Sequence, residues 1–205
     1  VGGTGYSIGI YSNGCTYYNY IHNSIRITGT HLTNGRSIQI GDGSNCFYQN
    51  NILTNFGGGY AIYTNTTSFK SDYNNLYTTG NAIGNFLGAA GTDLADWIAQ
   101  SYNDSNSVSL NPEFFSAADL HTYCLAMNNR GIPLSVSTDI DGEMRSLTHP
   151  DMGADEYTPP LNNAGVFEIS EPITLPHPLK DSVYITKVRI KNFGSDTISK
   201  VNIEW

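Results

Sequence analysis

The chain has 205 residues, 39% of them hydrophobic and only 14% charged, with 14 tyrosines and 21 glycines. Its net charge of −8 is uneven: residues 1–90 carry three basic and two acidic side chains, residues 91–205 seven and sixteen. With no basic stripe for phosphates, nucleic acid is excluded as an expected partner, and no apolar run approaches the ~20 residues of a membrane span.

The high aromatic content argues for a folded chain. Val1 is not an initiator residue, so the chain is expected to be a piece of a longer protein. Cys15, Cys46 and Cys124 match no zinc spacing and demand no disulfide framework; each reads as a small buried hydrophobe.

Residues 1–90 repeat. Ser7-Ile8-Gly9-Ile10 is followed by Asn23-Ser24-Ile25, Ser37-Ile38-Gln39-Ile40 by Asn50-Asn51-Ile52, and Ala61-Ile62-Tyr63-Thr64 by Asn74-Asn75-Leu76. Short β-branched and aromatic runs punctuated by Gly and Asn are strands separated by turns. A period of about 25 residues fits one rung of a parallel β-solenoid, with equivalent residues of successive rungs about 4.8 Å apart. Ile8, Ile38 and Ile62 are predicted to form one inward row and Ile25, Ile52 and Leu76 another. Tyr20 and Phe47 fill the row between, with Ser71 its weak member. Asn23, Asn50 and Asn74 are predicted to stack as a structural ladder, since Asn tolerates the turn backbone and its amides can bond along the axis.

The texture changes at about residue 91. Capping residues and a Leu94/Trp97/Ile98 face predict a short helix over 92–99. Asn111-Pro112-Glu113-Phe114-Phe115 follows. Then come Asp139-Ile140-Asp141-Gly142-Glu143-Met144-Arg145 and Pro150-Asp151-Met152-Gly153-Ala154-Asp155-Glu156-Tyr157. Two readings compete for this polar cluster. In one it caps the open end of the solenoid, with Arg145 paired to Asp141, Asp151 or Glu156. In the other, Asp139, Asp141 and Glu143 hold calcium around Gly142, although no complete EF-hand loop is present. Thr158-Pro159-Pro160 is a linker signal, and two strands are expected beyond it, at 184–190 and 198–205, about a turn at 192–196.

The repeat resembles the right-handed parallel β-helix superfamily that includes pectate lyases and many bacterial surface proteins. The closing segment is similar to that of many secreted bacterial β-helix proteins, in which D-x-D-G-x-x-R precedes P-D-x-G-A-x-E-Y. Here Leu125-Ala126-Met127-Asn128-Asn129 departs from the Ser-Pro turn usual in them. Ala164-Gly165-Val166, Lys191-Asn192-Phe193-Gly194 and the closing Val201-Asn202-Ile203-Glu204-Trp205 look like the opening of immunoglobulin-like adhesion repeats found in large Bacteroidetes-type surface proteins. The resemblance implies an all-β chain: β-helix rungs over 1–90, their C-terminal cap over 91–157, and the linker and first strands of an incomplete β-sandwich over 158–205.

No G-x-S-x-G, H-E-x-x-H or P-loop is present. The rungs hold only Asp42 and Asp72 as carboxylates, at different rung positions, where a glycosidase needs a facing pair. A lyase base could be drawn from Arg26, Arg36, Lys70 or His22. Tyr11, Tyr17, Tyr63 and Tyr77 could stack on sugars. The expectation is a secreted or cell-surface structural or adhesion module that contacts polysaccharide or other surface components and is exported as part of a larger precursor. No catalytic residue is assigned and no cofactor is expected, with calcium the one alternative. The competing reading is the non-catalytic C-terminal part of a polysaccharide lyase or glycoside hydrolase whose active site lies upstream.

Overall fold

A computed structural model describes residues 4–171 and 185–202. It divides into two compact units, Val1–Thr122 with Ala126–Tyr157 and Tyr123–Leu125 with Thr158–Trp205.

The first unit is a parallel β-solenoid of about three turns. The first turn holds β1 (Ser7–Ser12), β2 (Cys15–Thr16), β3 (Asn19–Ile21) and β4 (Ser24–Ile27). The second holds β5 (Gly35–Ile40), β6 (Gly43–Ser44), β7 (Cys46–Gln49) and β8 (Ile52–Asn55). The third holds β9 (Tyr60–Thr64), β10 (Phe69–Asp72) and β11 (Asn75–Thr78). Three parallel sheets result, built on β1-β5-β9, β3-β7-β10 and β4-β8-β11. Their registers stack Ile10, Ile38 and Ile62 in one row. Tyr20, Tyr48 and Ser71 form a second, and Ile25, Leu53 and Leu76 a third. Ile38, Ile62, Tyr48, Leu53 and Leu76 are fully buried, and each such apolar side chain stabilises by about 1.5–3 kcal/mol. The Tyr20 and Tyr48 rings lie 4.9 Å apart and nearly parallel.

The predicted rows shift within the first two turns. Ile8 pairs with Arg36, and Ile10 takes the place opposite Ile38. In the second turn Phe47 faces outward and Tyr48 inward; Ile52 faces outward and Leu53 inward. The ladder likewise runs through Asn51 and not Asn50. Asn23 Nδ2 donates to Asn51 Oδ1 at 2.9 Å and Asn51 Nδ2 to Asn74 Oδ1 at 3.0 Å, while the main-chain N–H groups of Asn23 and Asn51 donate to the same two oxygens. Strand side chains alternate, so a slip of one residue exchanges the two faces. The corner decides the phase. His22, Asn50 and Tyr73 adopt left-handed backbone with φ of 54°, 55° and 57°, so the residue after each corner enters the ladder. Asn50 meets that backbone requirement at low cost.

The far end is closed by a structure of its own. β12 (Gly84–Phe86) starts a fourth turn on β9, and β13 (Ala89–Gly91) reverses onto it antiparallel. Helix α1 (Leu94–Ser101) follows, as expected from the sequence, with Asp93 as N-cap. Gly84 stands in register with Ile62. A Cβ there would lie 2.6 Å from Cε3 of the fully buried Trp97, so the indole fills the space a fourth aliphatic side chain would take. Its Nε1–H donates to Asp104 at 2.8 Å. Asp104 also ends the ladder, accepting from Asn74 Nδ2, Ser71 Oγ and Ser107 Oγ.

The chain then doubles back along the outside wall. Asn75 exchanges two hydrogen bonds with Leu110. Asn50, excluded from the ladder, holds Ile132 through both side-chain atoms, at 2.7 and 3.1 Å. Gly153 N–H donates to Asn50 O, and Ala154 N–H to Ser24 Oγ. A Cβ on Gly153 would stand 2.6 Å from Ile52 Cδ1 at a φ of +94°, so glycine alone lets this strap press onto the wall. The segment carrying Asp141, Arg145, Asp151 and Glu156 therefore covers the side of turns one and two. The end-capping role expected of it belongs to α1, because the open end exposes apolar rows that an indole fills better than charges would.

In the second unit β14 (Ala164–Glu171) pairs antiparallel with β15 (Lys187–Asn192), with irregularities after Val166 and Ile169. The partner of β15 is thus 164–171 and not the expected strand at 198–205. Of that strand, 198–202 are described and are not in a strand; 203–205, like Tyr184, lie outside the described residues.

Candidate functional site

Three polar arrangements stand on this scaffold. The first is the Arg145 network. Arg145 is 5% exposed, and its Nη2 donates to the carbonyls of Gly153 and Ala154 at 3.2 and 2.7 Å. Its Nη1 meets Glu156 Oε2 at 3.4 Å. Glu156 in turn accepts from the N–H groups of Ser146 and Asp151. Of the expected partners Glu156 alone pairs with Arg145. Asp141 turns to His121, and Asp151 accepts from the main chain of Asn129 and Tyr157. Burial pushes the Asp151 carboxyl up to about 7 against those two donors.

Beneath the strap lies His22, the second arrangement. Its Nδ1 faces Gly153 O at 3.3 Å and its Nε2 faces Asn50 Nδ2 at 3.1 Å. An amide N–H donating to Nε2 requires the neutral ring, protonated on Nδ1. Burial and then the nearby Arg145 charge lower its pKa to about 4. His22 is thus a structural group holding the strap and has no free face for base catalysis.

The third arrangement joins three loops. Asp139 Oδ1 accepts from the N–H groups of Asp141 and Glu143, and its Oδ2 from that of Glu156. Burial opposes ionisation, but these three donors outweigh it and hold the Asp139 carboxyl below its usual value. All three of these donors are main-chain groups, so Asp139 clamps the turn, and among the described residues Asp139, Asp141 and Glu143 do not bring their ligand atoms together within 4.8 Å. The predicted calcium set is therefore not assembled. What converges, among the described residues, is His121, Asp141 and Asp155, whose ligand atoms all lie within 4.8 Å of one another. His121 Nε2 is 2.8 Å from Asp141 Oδ2, and Nδ1 bonds Asp119. Hydrogen bonds to Asp119 and Asp141 raise His121 to about 9, and burial raises Asp155 to about 6. No local spacing in the sequence announces this trio, because it comes from three loops.

Elsewhere on the solenoid, outward residues of β7 and β10 line a groove of about 630 Å³. Phe47 and Tyr102 supply exposed rings, Tyr102 at 92%. Gln49, Lys70, Asp72 and Asn103 supply polar groups. Asp72 accepts from Asn106 N–H and Nδ2 and from Tyr73 N–H. Of the expected lyase bases only Lys70 lines this groove. Arg36 lies 3.5 Å over the Tyr63 ring and Arg26 4.8 Å over Phe56. Tyr11, Tyr17, Tyr63 and Tyr77 are not among the lining residues. The sequence pattern places Phe47 in the core and Tyr102 beyond the repeat, so neither ring stands out as a surface group before the fold is known.

Comparison of the chain with protein-family models, with curated proteins and with solved structures returns no match.

Proposed function

We propose that this chain is a surface-exposed structural module of an exported bacterial protein, one that contacts glycan through the groove over β7 and β10. The β-solenoid is of the pectate-lyase-like, right-handed kind in this reading, and the β14–β15 pair opens an immunoglobulin-like sandwich of the adhesion type. The observation that carries the glycan reading is the pairing of two exposed rings, Phe47 and Tyr102, with the amides of Gln49 and Asn103 and the Lys70 ammonium in one open cleft. Rings of this kind stack on the apolar faces of sugars while amides bond hydroxyls. The carboxylates lining the cleft are otherwise engaged: Asp72 with Asn106 and Tyr73, Asp104 with four buried donors. That leaves the groove suited to binding and poorly suited to the paired-carboxylate chemistry of hydrolysis.

Affinity electrophoresis in neutral and uronate polysaccharides tests this. Retardation in at least one polysaccharide is expected, with about tenfold weaker binding in Tyr102→Ala or Phe47→Ala, which corresponds to ~1.4 kcal/mol. Binding unaffected by either change rejects the groove. Release of unsaturated uronates that disappears in Lys70→Ala would replace the binding reading by a lyase.

A further inference from the structure

We propose that His121, Asp141 and Asp155 form a binding site for a first-row divalent transition metal such as Zn²⁺, which would pin together the three loops that bear them. The trio offers one imidazole nitrogen and two carboxylates whose ligand atoms fall within 4.8 Å of one another, the donor count that binds such ions with coordination positions left open. A nitrogen donor favours these metals over calcium, which takes oxygen ligands.

The arrangement around His121 is the one a metal-binding imidazole uses. Asp119 holds Nδ1, which fixes the tautomer and leaves Nε2 facing Asp141 at 2.8 Å. Such an outer carboxylate is the usual partner of a ligating histidine. The proton that Nε2 shares with Asp141 is the one a metal would displace. Asp141 and Asp155 are held in place independently of any ion. Asp139 binds the main chain at Asp141 and Glu156, and Ile140 N–H donates to Ala154 O at 3.0 Å.

A second feature points the same way. Beside the trio opens a cavity of about 460 Å³, bounded by Asp119, His121, Ile140, Ala154 and Asp155. It gives the free coordination positions room for water or for a donor group of a bound molecule. The trio remains accessible, with the His121 and Asp141 side chains 35% and 57% exposed.

The test is calorimetric titration of the whole chain, stripped with chelator, against Zn²⁺, Co²⁺ and Ca²⁺. One Zn²⁺ per chain is expected, with Co²⁺ producing a visible absorption band from its nitrogen-containing site. His121→Ala should weaken Zn²⁺ binding at least a hundredfold. Asp119→Asn should weaken it about 10–100-fold through loss of the outer-shell bond. Glu143→Gln should leave it unchanged. Both His121 and Asp119 are solvent-exposed enough to be replaced without unfolding, which circular dichroism checks. Absence of Zn²⁺ binding, Zn²⁺ binding that survives His121→Ala, or tighter binding of Ca²⁺ than of Zn²⁺ would each overturn the proposal.

Discussion

Between Ser7 and Thr78 every turn is held by its copy one rung away; between Leu110 and Tyr157 nothing repeats, and the chain is held by single-use bonds to the wall it covers. In the solenoid, Ile38, Tyr48, Leu53 and Leu76 are buried against equivalents in neighbouring turns, and each Asn amide bonds the next Asn and a main-chain carbonyl until Asp104 ends the row. The strap, by contrast, buries charged and titratable groups, Arg145, Asp151 and, beneath it, His22, along with Met127, Met152 and Tyr157. The difference teaches where each region is vulnerable. A repeat spreads its stabilisation over stacked apolar area, whereas the strap depends on the protonation state and geometry of a few buried groups.

The largest expected effect is on the solenoid end. Trp97→Ala should cost about 3–5 kcal/mol in urea unfolding, from lost burial, the cavity left behind and the loss of one of the four donors to buried Asp104. A loss under about 1 kcal/mol would show that α1 does not close the core.

Next is the pH response of the strap. His22 has a depressed pKa in the folded state, about 4 against 6.5. Its stabilisation is therefore present above pH 6.5 and is lost as pH falls from 6.5 towards 4, as the unfolded chain takes a proton the folded one refuses. Asp151 acts oppositely: its carboxyl is raised from 3.8 to about 7, so it subtracts stability as pH rises through that window. The advantage of wild type over His22→Gln is expected to grow by about 3 kcal/mol from pH 4 to pH 6.5. Parallel stability profiles for the two proteins would remove His22 from the strap's buried interior.

The two adjacent asparagines give a third contrast. Asn51→Ala leaves the N–H of Asn23 without its acceptor, takes one of two donors from Asn74 Oδ1 and removes the bond to Tyr20 O, and should cost about 2 kcal/mol of global stability. Asn50→Ala removes both bonds to Ile132 and should instead open residues 111–157 to limited proteolysis while the solenoid persists. Exchange of these two outcomes would reverse the register described above. The smallest expected effect is at Asp93, where Asp93→Ala removes the cap of α1 and should cost about 1 kcal/mol, read as a modest shift of the urea midpoint.

Much of this was legible in the residues alone. The recurring Asn and aliphatic pairs announce a solenoid of this period, the Leu94/Trp97/Ile98 face announces α1, and the charge pattern marks Arg145 for an acidic partner without choosing Glu156 over Asp141 or Asp151. The phase of the second turn was not legible. Phe47-Tyr48, Asn50-Asn51 and Ile52-Leu53 are doublets of similar side chains, and either member of each satisfies the repeat equally well. Strand alternation converts that one-residue ambiguity into an exchange of inside and outside, and only the left-handed corner at Asn50 decides it. The same limit applies to the strap. His22 meets Gly153 across 131 residues of chain, and His121, Asp141 and Asp155 share no spacing. Local pattern determines which segments become strand, turn or helix, because those choices depend on neighbours in sequence. Which polar groups face one another depends on how distant loops fold back over the solenoid wall, and that is settled only when the tertiary structure closes.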